Sequence, residues 1–149
     1  MKSLGIAMAV LIFLAGPARA ADGLVAVKSA HGVKETLDRF EVAAKGKGLN
    51  IFLRLDHAAG AKKVGKTLRP TELLVFGNPQ GGTPLMVCAQ TAGIDLPLKA
   101  LVWEDENGKV WVSYNTADFL RDRHSAQSVE KFLKQLTERT ASFVNKAIE

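Results

Sequence analysis

The stretch Thr71-Glu72-Leu73-Leu74-Val75-Phe76-Gly77-Asn78-Pro79-Gln80-Gly81-Gly82-Thr83-Pro84-Leu85-Met86 decides the fold. Leu73 to Phe76 is apolar at every position, which predicts a strand buried on both faces or placed at a subunit contact. Asn78-Pro79 and Gly81-Gly82 then predict a turn. Thr83-Pro84 predicts a helix start, because a threonine can cap free amides and proline is tolerated at the first helical position. That helix, Leu85 to Thr91, is expected to stop at Gly93. Pro97 can only begin or edge a strand, so the next strand runs from Leu98 to Glu104. Asn107-Gly108, between Trp103 and Trp111, predicts a two-residue hairpin turn with positive φ at both positions, and Lys109 to Tyr114 as the return strand.

Outward from that core, Leu24 to Val27 is a short apolar run that reads as a first strand. Val33, Leu37, Phe40 and Ala44 recur at helical spacing, with Lys34, Glu35, Asp38 and Arg39 on the other face and Gly46 or Gly48 as the C-terminal cap. Leu49, Ile51, Leu53 and Leu55 alternate with Asn50, Phe52 and Arg54, which predicts a strand with the leucines on the core. Ala58 to Lys66 reads as a short helix or loop. Thr116 to Arg123 reads as a polar connector, and Val129, Phe132, Leu133, Leu136, Phe143, Val144 and Ala147 form the apolar stripe of a long helix. Two long helices on a mainly antiparallel sheet of about five strands make a two-layer α+β sandwich.

The first twenty of the 149 residues have a different character. Lys2 precedes an unbroken apolar run from Leu4 to Leu14, and Gly16-Pro17 leads into Ala18-Arg19-Ala20. This reads as a signal peptide (residues 1–20) cut after Ala20, which leaves residues 21–149 as a single exported domain, most simply periplasmic. The apolar run is short for a permanent bilayer anchor. Cleavage leaves 18 of the 20 basic residues against 15 acids, a net charge of +3. That is too mild to announce a nucleic acid partner. A lone cysteine, Cys88, cannot form an internal disulfide. No cofactor or metal set stands out, since Met86 and Cys88 point about 200° apart on a helix.

At this point the residues carry a resemblance. Asp56-His57-Ala58-Ala59, Leu68-Arg69-Pro70-Thr71-Glu72-Leu73, Phe76-Gly77-Asn78-Pro79, Gly82-Thr83-Pro84-Leu85-Met86, Asp95-Leu96-Pro97-Leu98-Lys99 and Trp103-Glu104-Asp105 resemble the successive motifs of the domain of unknown function 302 (DUF 302). The resemblance spans about residues 53–118 and implies a TATA-binding-protein-like topology, β-α-β-β-(α)-β-β-α, often as a homodimer. It implies no DNA binding and no particular activity.

Candidate site residues follow from chemistry. His57, beside Asp56 at a strand end, reads as a general base or ligand contact, against a plainer reading in which Asp56 caps the following helix. Arg69, with Lys62, Lys63 and Lys66, could hold an anion, as could the amides ahead of Thr83, although the glycines there lack the spacing of a nucleotide-binding loop. Asn78 and Glu104 complete the candidate set. The acids at 104–106 also read as a solvated hairpin tip that discourages edge pairing. Trp103, Trp111 and Tyr114 read as cross-strand packing or a pocket lining, and His31 and His124 as exposed residues at helix beginnings. The leading expectation is a homodimeric binding module for a small, anionic ligand or a protein partner, with its pocket near His57, Arg69, Asn78 and Glu104. The alternatives are a small enzyme with His57 as general base, oriented by Asp56 or Glu104 and aided by the Thr83 amide region, and a structural or envelope-stress protein acting through its dimer surface.

Overall fold

A computed structural model of the chain describes residues 18–19 and 23–149. The expected signal peptide lies outside the described residues, apart from Ala18 and Arg19. Those two form β1 (Ala18–Arg19), which pairs with Val25 and Ala26 of β2 (Leu24–Ser29) at one sheet edge. There follow α1 (Val33–Lys45), β3 (Asn50–Asp56), α2 (His57–Lys63), β4 (Thr71–Gly77), α3 (Pro79–Cys88), β5 (Leu98–Glu104), β6 (Val110–Asn115), α4 (Ala117–His124) and α5 (Glu130–Ile148). The strands form one antiparallel sheet in the order β1-β2-β6-β5-β4-β3. The result is the expected α+β sandwich, with α1 and α5 on one face.

Two apolar clusters hold the layers together. The larger joins Leu37 and Phe40 of α1, Leu74 and Phe76 of β4, Val102 and Val112 of the next two strands, and Phe143 and Val144 of α5. Phe40, Phe76 and Phe143 meet edge-to-face with centroids 5.0–6.4 Å apart, a geometry that aligns ring edges with ring faces. The second cluster, around Leu85, Ala92, Leu120 and Leu133, joins α3, α4 and the start of α5 beyond the end of the sheet. Among the described residues no helix is long and apolar enough to cross a membrane.

Four local expectations change. In β3 a bulge between Ile51 and Leu53 breaks the alternation, so Ile51 packs on the core while Leu53 and Leu55 face outward, 49% and 41% exposed. Arg54 takes the helix side instead, bonded to Asp38 of α1 (2.5 Å) and Glu72 (2.7 Å). The helix after β4 starts at Pro79 rather than Thr83: Asn78 caps it by accepting from the Gly81 amide at 2.7 Å, and Pro79 takes the first position. The hairpin has positive φ at Gly108 alone, +71°. Asp105 and Lys109 pair around a three-residue loop, and the Asp105 carboxylate accepts from the Asn107 and Lys109 amides. The connector 117–124 is helix α4, capped by Thr116.

Candidate functional site

Strands β3 and β4 each end in an Asx-capped helix start, at opposite ends of the sheet. At the first, Asp56 accepts from the Ala59 amide at 2.8 Å and opens α2, which is the plainer of its two readings. His57 is exposed there. Arg69 donates from Nε to the Glu104 carbonyl at 3.2 Å, and the Glu104 amide donates to the Pro70 carbonyl at 3.0 Å. His57, Arg69 and Glu104 therefore share one end of the sheet, where Asp56 pairs with Glu72 and Thr71 with Trp103. Backbone hydrogen bonds lace that end together.

Asn78 and Thr83 lie at the other end of β4, about 20 Å away along a seven-residue strand. The expected grouping of His57 and Arg69 with Asn78 does not form within one protomer. Nor can the Thr83 region serve an anion held at His57. The Gly81 and Gly82 amides are not free in any case, since the Asn78 side chain and carbonyl accept them.

A cleft of 850 Å³ opens at the Asn78 end. One wall is the segment Gly77–Thr83 with Met86, a second is Gly93 and Leu96–Leu98, and the third is α5 from Phe132 to Phe143. Leu49 and Phe52 close it from the β3 side; Phe52 is the extra residue of the bulge and is 54% exposed. Lys47, Glu138, Arg139 and Ser142 stand on the rim. Three of the quoted motif segments thus meet around one cavity, within the 300–1,000 Å³ range typical of ligand pockets. Of the expected site residues, Asn78 and Thr83 line it.

A buried histidine braces the second wall. His124 is the last residue of α4 rather than the first, and its side chain is 4% exposed. Its Nε2 meets the Asp95 carboxylate at 2.6 Å and its Nδ1 the Thr91 hydroxyl at 3.1 Å, while Arg123 reaches the same carboxylate at 3.1 Å. Asp95 sits between two cleft residues, Gly93 and Leu96, so the pair ties the wall to α4.

The remaining candidates are accounted for locally. Trp103 and Trp111 stack across β5 and β6 with centroids 6.4 Å apart, and their indole N–H groups donate to Ser113 and Asp105. The Trp111 bond, with the loop amides, holds the Asp105 carboxyl below its ordinary value. Tyr114 packs on the helix side, where burial raises its phenol. Cys88 is exposed and 3.0 Å from the Ser128 hydroxyl. Among the described residues no group of three His, Cys, Asp or Glu side chains is placed to hold a metal.

The profile of the domain of unknown function DUF302 matches residues 25–146. The chain belongs to the DUF302 family. The solved structure of an uncharacterised conserved DUF302 protein from Bacillus stearothermophilus shares the fold, with a TM-score of 0.77 over 85% of this chain and 99% of that one, at 20% identity. Over 103 residues, 69% of its length, this DUF302 chain is 54% identical to proteins named fluoride-specific ion channel FluC 1 in Brucella suis and Brucella abortus. It spans 41% and 38% of their lengths.

Sequence reasoning missed Lys47, Phe52, Phe132 and Arg139. Phe132 carried a signal as part of the helical stripe, but nothing local marked it as a cleft residue. Phe52 carried none, because the bulge that exposes it depends on how β3 pairs with β4.

Proposed function

We propose that this DUF302 protein is an exported, periplasmic, homodimeric binding module whose ligand site is the cleft at the Asn78 end of the sheet. The observation that carries the reading is the cleft itself. Its floor of Leu49, Met86, Leu96, Leu98 and Leu136 is apolar, and Lys47 and Arg139 on its rim make no ion pair among the described residues. An apolar interior with a few polar groups at its edge is the usual form of a small-molecule site, and unpaired cations favour an anionic ligand. Self-association would use the sheet face away from the helices, where Leu53, Leu55, Leu73, Val75 and Leu101 form a continuous apolar patch. Such a patch marks an interaction surface.

The test is native mass spectrometry of the full chain expressed with its leader and purified from the periplasm. The expected result is a dimer carrying an organic mass that is lost when Ser142→Trp blocks the mouth of the cleft. A ligand-free monomer, or a bound mass indifferent to Ser142→Trp, overturns the reading.

A second reading rests on the 54% identity to the FluC proteins. Fluoride itself does not suit the cleft, because a water-sized species needs only about 10–15 Å³. A protein partner fits that likeness better: the chain would bind a fluoride channel. Co-expression with such a channel should then yield a detergent-stable complex, and failure to co-purify would remove this reading.

A further inference from the structure

We propose that the cleft takes a single medium-chain acyl carboxylate, with its chain lying along α5 toward Phe132 and its carboxylate at Lys47 and Arg139; this rests on the cleft being the ligand site. The lining residues of α5 run from Phe132 to Phe143, which is about 16 Å of helix at 1.5 Å per residue. A volume of 850 Å³ laid along that length is a trough rather than a round chamber. A compact ligand would leave most of the floor wet, whereas an extended chain covers it.

Beside the polar Gln80, Thr83 and Gln135, the side chains of Leu96, Leu98, Leu136, Met86 and Phe52 offer no hydrogen bonds, so a ligand against them gains by burying methylenes. Met86 is an adaptable wall, since its unbranched thioether fits irregular apolar shapes. The Gly82 backbone also faces this space: a Cβ built there would stand 3.5 Å from Leu96 and 3.8 Å from Met86, in ordinary contact with both floor residues.

The start of α3 is closed to an anion, because Asn78 already accepts the Gly81 and Gly82 amides. Of the charged groups on the rim, Lys47 and Arg139 outnumber Glu138. One carboxylate balances that net charge of +1, whereas a dianionic headgroup would bring a second negative charge against Glu138.

The experiment follows displacement of the fluorescent anion 1-anilinonaphthalene-8-sulfonate from the full chain by octanoate, decanoate, dodecanoate and the methyl ester of dodecanoate. Affinity should rise about fourfold per added methylene until the trough is full. The ester should bind about tenfold more weakly than the acid, and Arg139→Gln should shrink that gap while leaving the chain-length slope intact. If the probe binds and Ser142→Trp expels it, yet affinity is flat with chain length, the acyl assignment falls and the cleft remains a ligand site. Equal binding of acid and ester overturns the role of Lys47 and Arg139. Binding of phosphatidylglycerol vesicles as tight as that of the free acid overturns the choice of a free acid. If the probe does not bind, or Ser142→Trp leaves it bound, both this proposal and the ligand-site reading are lost.

Discussion

Two helices in this protein begin the same way and end in different roles. Asp56 closes β3 and caps α2, Asn78 closes β4 and caps α3, and each side chain accepts from an amide three residues on. α2 then buries no residue, and its last turn carries Lys62 and Lys63 into solvent. α3 buries Leu85 completely, sets Met86 against the cleft and packs on the second apolar cluster. A cap starts a helix, but it takes an apolar residue two turns later to turn that helix into a wall. The motif that looked most chemical, Asp56-His57, therefore sits on the end of the sheet opposite the cleft.

The largest blow to this contrast is Leu85→Ala. Emptying a fully buried site should cost about 2–5 kcal/mol and detach α3 from the second cluster, read by urea unfolding and loss of probe binding in the cleft. No single change in α2 should approach that, and an equal loss from Gly60→Pro would mean that α2 matters to the core after all. Next comes Asn78→Ala, which removes a cap and should cost about 1 kcal/mol while weakening probe binding. The matching change Asp56→Ala should stay within about 0.5 kcal/mol and leave binding alone, since the helix it caps is held by nothing buried.

Smaller still is the effect of pH at the Arg54 network. The hydrogen bond from Lys34, and then that from Arg54, holds the Asp38 carboxyl below its ordinary value. A depressed carboxylate stabilises the fold above its unfolded value and loses that contribution as pH falls through the folded one. Acid unfolding below about pH 4 should therefore be less steep in Asp38→Asn than in the parent. The difference should shrink in high salt, since Asp38 is half exposed. Smallest of all is His57→Ala, which should alter neither the melting temperature nor the binding of the probe, because the ring is exposed and remote from the cleft. A change in either would restore the Asp56 end as a site.

Much of the fold was legible because it depends on local rules. α1 runs from Val33 to a Gly46 cap as its spacing requires, β5 begins after Pro97, and α5 buries the stripe through Leu133, Phe143 and Val144. Legibility failed where a residue's neighbour is distant in the chain. β3 is half apolar on each face, so its own pattern allowed Leu53 and Leu55 inside; the register with β4 placed Arg54 there, where Asp38 and Glu72 compensate its charge. Burial alone would weaken the Arg54 proton's hold, and the hydrogen bonds to Glu72 and Asp38 reverse that. His124 looked like an exposed helix residue because its partner, Asp95, is 29 residues away.

By itself the sequence determined the order of the main strands and the two long helices with their buried stripes, because periodicity, caps and breakers act over a few residues and survive in any context. Tertiary structure alone decided that the motifs split between two ends of the sheet. It also decided that the segments around Asn78 and Leu96 meet the Phe132–Phe143 face of α5 across an open cleft. That outcome depends on strand register, on one bulge and on the packing of α3 against α4 and α5. These are long-range contacts whose energies are shared among residues that carry no mark of one another.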